Sequence, residues 1–290
     1  MKKMSGTATV NIKATLPLVD IEGETSSPKY YGMAAMHIVN KTMYCIRTLR
    51  QGKNESKALV YLYKITGDWY NENPSSVKTQ VIGAIHTSSG SKNVAQHANS
   101  LCHVSGNFYM ATKNEEGSAV LAFDSNGLIT NHISCTVDEV HTISYEGTRN
   151  GNLCFLIKTG KKTTSGKLVY RFRLFELVDN KLTLCSSKAV NFTVSVDENG
   201  LDAGNDVWYD RQNKKLYVTS FGTVNGKIKN VISVYEVGDM TKSSYTAVRN
   251  IVITGAGLEI EGMRVYSDNG KKYVCIKRNP GCQDDVGALK

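Results

Sequence analysis

From Tyr31 onward the chain alternates apolar and polar residues in short runs, broken by clusters of Gly, Asn, Asp and Lys. A period of two is what a half-buried β-strand requires, because successive side chains point to opposite faces. Five segments share one form, a small polar start, an alternating strand, a tight turn and an aromatic-rich strand. They are YGMAAMHIVNKTMYCIRTL from Tyr31, HANSLCHVSGNFYMATK from His97, HTISYEGTRNGNLCFLIKTG from His141, NDVWYDRQNKKLYVTSFG from Asn205 and EGMRVYSDNGKKYVCIKRN from Glu261. The turns VNKT, VSGN, EGTRNGN, DRQNKK and SDNGKK carry the residues that tight hairpins select, since these tolerate positive φ. No period of 3.6 persists, so the chain is expected to be all-β.

After four of the hairpins comes a third strand, KALVYLYKI, SAVLAFDS, KLVYRFRLFEL or NVISVYEVGD, and then a more polar fourth. Aligning Tyr44, Tyr109, Phe155, Tyr217 and Tyr273 gives spacings of about 46 to 65 residues, close to those of propeller blades. The pattern predicts a five-bladed β-propeller of four-stranded antiparallel blades forming one domain over 1–290. The blades fall at approximately 29–87, 95–137, 139–196, 203–254 and 259–290. Little reads as strand after Arg278, so the last blade is short. The N-terminal stretch TATVNIKATLPL, within 7–18, is expected to close it as the outer strand, because a ring must leave no open sheet edge. Two packed β-sandwich domains are the competing architecture.

Composition narrows the function classes. With 41% apolar and 21% charged residues the chain is ordinary globular material. No run approaches the roughly 18 apolar residues of a membrane span, and the N-terminus reads as a strand rather than a signal peptide. The seven cysteines show no C-x-x-C spacing. Six lie inside strand patterns, where a thiol acts as a small hydrophobe. Free buried thiols fit a reducing compartment, whereas a role at the cell surface would require export; the location stays open. No metal and no cofactor are implied.

In a propeller the first strand of each blade lines the central channel, so residues at its start share one mouth. Those starts hold Tyr30 and Tyr31, then His97, Asn99 and Ser100, then Glu139 and His141, then Asn205 and Asp206, then Glu261. Polar loops also begin strands this way without forming a site. The loops after the second strands were expected to bring Arg47, Arg50, Lys53, Lys57, Lys113, Lys158, Lys161, Lys162, Lys167, Lys227, Lys229, Lys277 and Arg278 to the same mouth. The net charge of +9 and pI of 9.1 would then attract anions there.

Catalytic templates are absent: no G-x-S-x-G elbow, H-E-x-x-H or phosphate-binding loop occurs. Cys102 and His103 are neighbours in one strand and point apart. Glycoside cleavage is the chemistry that remains. It needs two carboxyl groups about 5 to 9.5 Å apart, and Glu139, Asp206 and Glu261 stand on three blades. Tyr, Asn, His and Asp also suit carbohydrate hydroxyls without catalysis.

The start His97-Ala98-Asn99-Ser100 before G-N-F-Y-M-A-T, echoed from Asn205-Asp206 to Lys215-Leu216-Tyr217-Val218, resembles propeller-like repeat proteins of Gram-positive bacteria, the helveticin J type of bacteriocin. That resemblance implies a bacterial protein acting at a cell envelope.

The expected function is therefore non-catalytic binding of a polar or anionic glycan at a basic mouth. Its ligand-binding residues would be Tyr31, His97, Asn99, Ser100, His141, Asn205, Asp206, Glu261, Arg47, Lys113, Lys158 and Lys277. A glycoside hydrolase using Glu139, Asp206 and Glu261 is the alternative, and a nucleic-acid or protein-binding propeller ranks behind both. A monomer is expected.

Overall fold

The computed structural model describes residues 4–7, 10–15, 29–51, 54–71, 74–92, 97–113, 120–137, 140–164, 166–201, 203–204, 206–255, 258–266, 270–278 and 285–289. Every regular element among them is a strand. Blade I comprises Lys29–Val39, Thr42–Gln51, Asn54–Thr66 and Lys78–Ala84. Blade II comprises His97–Val104, Asn107–Lys113, Val120–Phe123 and Ile129–Cys135. Both are antiparallel, with strands adjacent in chain order.

The hairpins joining first to second strands are tight where the sequence supplies αL residues. Asn40 has φ 53°, Ser105 and Gly106 have 52° and 82°, and Asn150 and Gly151 have 48° and 83°. Positive φ at both central residues, as at Ser105-Gly106 and Asn150-Gly151, matches the strand twist.

Blade III consists of Ile143–Arg149, Asn152–Thr164 and Lys167–Val178, and its outer edge is split. Lys181–Leu184 pairs with one end of the third strand and Asn191–Val196 with the other. Each half also bridges to a neighbour in parallel, Lys181–Leu184 to blade II and Asn191–Val196 to Ser244–Thr246. Blade IV holds Val207–Asp210, Lys215–Val224, Lys227–Glu236 and Arg249–Gly255.

Blade V comprises Leu258–Val265, Lys272–Arg278, Asp285–Leu289 and, as its outer strand, Val10–Thr15. The N-terminal strand closes the last blade as expected. Two details differ from the sequence reading. Asp285–Leu289 is a third strand, hidden because only DVGAL follows the polar PGCQD. In addition, Met4–Thr7 pairs in parallel with Arg249–Gly255, so the N-terminal segment clasps the outer edges of two blades.

The core is distributed between blades. Ala35, Ile46 and Leu62 meet Leu101, Phe108 and Met110 between blades I and II. Tyr109 and Val120 meet Phe155 and Ile157 between II and III, and Tyr170 and Phe172 meet Leu216 and Val231 between III and IV. Tyr217 and Ile232 meet Ile260 and Val274 between IV and V. Met36, Tyr63 and Trp69 meet Tyr266 and Tyr273 between V and I. One apolar cluster at each of the blade contacts is what a closed ring of sheets requires, because every sheet then buries both faces.

Candidate functional site

The first strands of four blades depart from regular pairing. Register shifts fall between Met33 and Ala35, Ala98 and Ser100, Tyr145 and Gly147, and Ile260 and Gly262. The extra residues are Ala34, Asn99, Glu146 and Glu261. A bulge breaks the alternation of faces and re-aims one side chain. Asn99 and Glu261 consequently stay partly exposed beside the fully buried Ser100 and Gly262. At Ile260 the backbone N–H donates to Asn230 Oδ1 of blade IV at 2.9 Å, which fixes the chain just before the Glu261 bulge.

Below these residues the channel is closed by a polar hub to which every blade contributes. Arg264 of blade V is 2% exposed. Its guanidinium donates to Asp206 Oδ2 at 2.5 Å, to the Leu101 carbonyl at 2.6 Å and to the Met263 carbonyl at 2.6 Å. Its Nε reaches His37 Nδ1 of blade I at 3.4 Å. Ser100 donates to Asp206 Oδ1 at 2.8 Å and lies 3.1 Å from the Ile143 carbonyl of blade III. The Asp206 N–H donates to Thr219 Oγ1 at 2.9 Å. Burial pushes the Asp206 carboxyl upward, while Arg264 and Ser100 pull it back. With both carboxylate oxygens hydrogen-bonded, the ion pair is satisfied as buried charges must be.

His37 is held well below the ordinary imidazole value, first by burial, then by the positive charge of Arg264 and by His103. Burial also lowers His103. Both rings are therefore neutral near pH 7.

The other channel mouth, where first strands end, contains a cavity of about 470 Å³. His37, His103, Tyr145, Trp208, Arg211 and Arg264 are among the residues lining it. Sequence reading passed over this mouth, although AAMHIVN and SLCHVSG place His37 and His103 at equivalent points before their turns.

The anticipated site residues separate into groups. Asn99 and Glu261 are partly exposed as the third and fourth residues of their strands, and His141 is partly exposed just ahead of its strand. Ser100 and Asp206 belong to the hub. Arg47 and Lys158, expected in rim loops, are buried strand residues at 1% and 4% exposure. Arg47 lies over the Tyr63 ring and donates to its hydroxyl at 3.4 Å. Lys158 donates to the Gly204 carbonyl at 2.8 Å and sits over Tyr170. Gly204 permits this contact, since a Cβ there would collide with the Tyr170 hydroxyl. Burial drives the Lys158 ammonium down to about 8, opposed by Asp206 and reinforced by Lys161. Lys161 and Lys162 are exposed on the second strand of blade III rather than in a loop. Glu139 and Asn205 lie outside the described residues, as do the side chains of Tyr31, His97, Lys113 and Lys277. Arg264 was missed because its strand, EGMRVYS, reads as ordinary alternation.

No family model and no curated protein matches this sequence. Solved structures do. A GH43_1 enzyme from Xanthomonas citri aligns over 97% of this chain and 90% of its own, with TM-score 0.55 and 9% identity. The same enzyme complexed with xylose gives TM-score 0.58 at 8% identity over the same shares. A protein described as a glycoside hydrolase gives 0.54 at 9% identity, over 97% of this chain and 91% of its own. These likenesses establish the β-propeller fold. The expectation of glycan binding without catalysis is overturned by them: the structures sharing the fold along nearly the whole chain are glycoside hydrolases, which favours the alternative reading. Arg47 and Lys158 are also inside the protein and cannot form a basic rim.

Proposed function

We propose that the chain hydrolyses glycosides at the strand-start mouth, with Glu261 as one carboxyl group and Glu139, just ahead of the first strand of blade III, as the other. The observation that supports this reading is the bulge at Glu261. It keeps a carboxylate partly exposed on an otherwise buried first strand, the same strand that carries Arg264 of the hub. Bulges of this kind cluster beside active sites.

In glycoside hydrolysis one carboxyl protonates the glycosidic oxygen, the C–O bond breaks and the leaving sugar departs as an alcohol. The second carboxylate either attacks the anomeric carbon or deprotonates the water that does. Asp206 takes no direct part in this proposal. Its oxygens are committed to Arg264 and Ser100, so it acts as a positioning residue that fixes the strand carrying Glu261 through Arg264. Asn99, bulged on blade II, is placed to hydrogen-bond a sugar hydroxyl. The partner is then a glycan, and a ring in which each blade already packs on two neighbours favours a monomer. The likeness to helveticin J rests on a hairpin rhythm common to propellers and lends no support to a bacteriocin role or a Gram-positive source.

The test is release of reducing sugar from a panel of polysaccharides and aryl glycosides. Wild type should turn over at least one of them, and Glu261→Gln should lose about 10²- to 10⁴-fold in kcat with KM and melting temperature unchanged. An inactive wild type across the panel, or a fully active Glu261→Gln protein, sinks the reading.

A further inference from the structure

The cavity at the strand-end mouth has a chemistry of its own. The bulge at Glu146 turns that carboxylate away, where it pairs with Arg149 at 2.7 Å and Lys188 at 3.7 Å. The residues on either side, Tyr145 and Gly147, then form a flat bed. The Arg211 guanidinium lies over the Tyr145 ring at 4.6 Å from its centroid, and a Cβ on Gly147 would stand 3.9 Å from an Arg211 nitrogen. A guanidinium held by an aromatic face has its planar fork oriented in advance.

The turn that carries Arg211 is fixed as well. Asp210 accepts from the N–H groups of Gln212 and Asn213 at 3.1 and 3.2 Å, and from Asn213 Nδ2 at 2.7 Å. The hydrogen bonds of that carboxylate are therefore taken up by its own turn and not by the Arg211 fork. Among the described residues Arg211, the Gln212 side chain and Trp208 Nε1 have no protein acceptor. All of them line the same cavity. Tyr217 stacks on Trp208 at 5.2 Å, fixing the ring. The cavity is thus rich in donors and walled by aromatic rings, and the one carboxylate among its described lining residues, Asp210, is bonded to its own turn. Its volume of about 470 Å³ lies within the ~300–1,000 Å³ common for small-molecule sites.

We propose that this cavity is a second ligand site, distinct from the strand-start mouth, and that it takes a hydroxylated carboxylate of monosaccharide size, a uronate, with the carboxylate on Arg211. Charge-assisted pairing of a guanidinium with a carboxylate sets the orientation. Trp208 offers an apolar wall and an N–H donor to the ring. The imidazole of His103, with one donor and one acceptor nitrogen, faces the hydroxyls, while His37 is engaged by Arg264.

Tryptophan emission reports on this site directly. The chain has two tryptophans, and Trp69, 1% exposed in the contact of blades I and V, is not among the residues lining the cavity. Titration with galacturonate or glucuronate should change the emission saturably, with Kd below about 1 mM. Trp208→Phe should abolish the signal. Arg211→Gln should weaken binding about 10- to 100-fold, the loss expected of one charge-assisted contact, at an unchanged melting temperature. Glu261→Gln should bind as wild type does, which separates this site from the proposed active site. The proposal is overturned if galactose and glucose bind as tightly as the uronates, if acetate reproduces their curve, or if no saturation is reached by about 10 mM. It is also overturned if Arg211→Gln leaves the affinity unchanged or Glu261→Gln removes it.

Discussion

The two mouths of the channel are built from the same five strands and differ in almost everything else. Where the first strands end, αL residues such as Asn40, Ser105 and Asn150 turn the chain back at once. Side chains there sit on short, hydrogen-bonded hairpins and form a defined cavity. Where the first strands start, the chain arrives from another blade and the polar residues depend on bulges for their direction. Local turn chemistry thus organises one mouth, and contacts between distant blades organise the other. Arg264 and Asp206 lie between them and serve both, since Arg264 also borders the strand-end cavity.

That partition can be broken at the hub. Arg264→Met would leave Asp206 buried, 1% exposed, without its counter-charge. Removing one partner of a buried ion pair costs about 3–5 kcal/mol, so chemical denaturation should show a loss of that size, with both glycan turnover and uronate binding impaired. A loss below about 1 kcal/mol would mean that the blades are held without the hub.

A smaller effect separates the mouths by pH. His37 titrates below its ordinary value of 6.5 because of burial and the neighbouring charges of Arg264 and His103. The unfolded chain therefore takes up a proton before the folded one does. The stability of the native state is full above about pH 6.5 and declines as pH falls toward the depressed folded value, by up to ~1.4 kcal/mol per pH unit for one proton. Denaturant midpoints measured from pH 7.5 to 5 should fall for wild type and fall less for His37→Gln. Parallel curves would remove His37 from the account.

The smallest effect is expected on the outer face of blade III. Lys161→Ser with Lys162→Ser should change stability by less than about 0.5 kcal/mol, as exposed charges do, and should leave kcat unchanged. A clear loss of turnover would restore a basic rim to the active mouth.

Much of this architecture is legible in the sequence, and the reason is local. VNKT, VSGN and RNGN specify hairpins by backbone preference alone, and the aromatic residue that follows each turn marks the repeat. The N-terminal strand could be assigned because a ring leaves no edge unpaired. The hub was not legible. Arg264 meets Leu101, Asp206 and His37 across 163, 58 and 227 residues, and no spacing rule connects them. Lys158 was misplaced because a lysine in KTGKK reads as solvent-facing, whereas the Gly204 carbonyl and Tyr170 ring that hold it come from other strands. Asn99 and Glu261 were singled out as strand starts, whereas they are the third and fourth residues of His97–Val104 and Leu258–Val265, and nothing in the sequence revealed the bulges there.

The clasp formed by Met4–Thr7 and Val10–Thr15 has a consequence for the order in which the protein is made. Their partners, Arg249–Gly255 and Asp285–Leu289, are synthesised long after them. The two N-terminal strands must therefore wait, unpaired, while the intervening blades are made, and Arg264 reaches the hub in the same late interval. Pairings of such long sequence separation make folding slow and expose unpaired edges meanwhile. Blades I to III can build their mutual contacts during translation, while ring closure waits until the strands of blade V have been made.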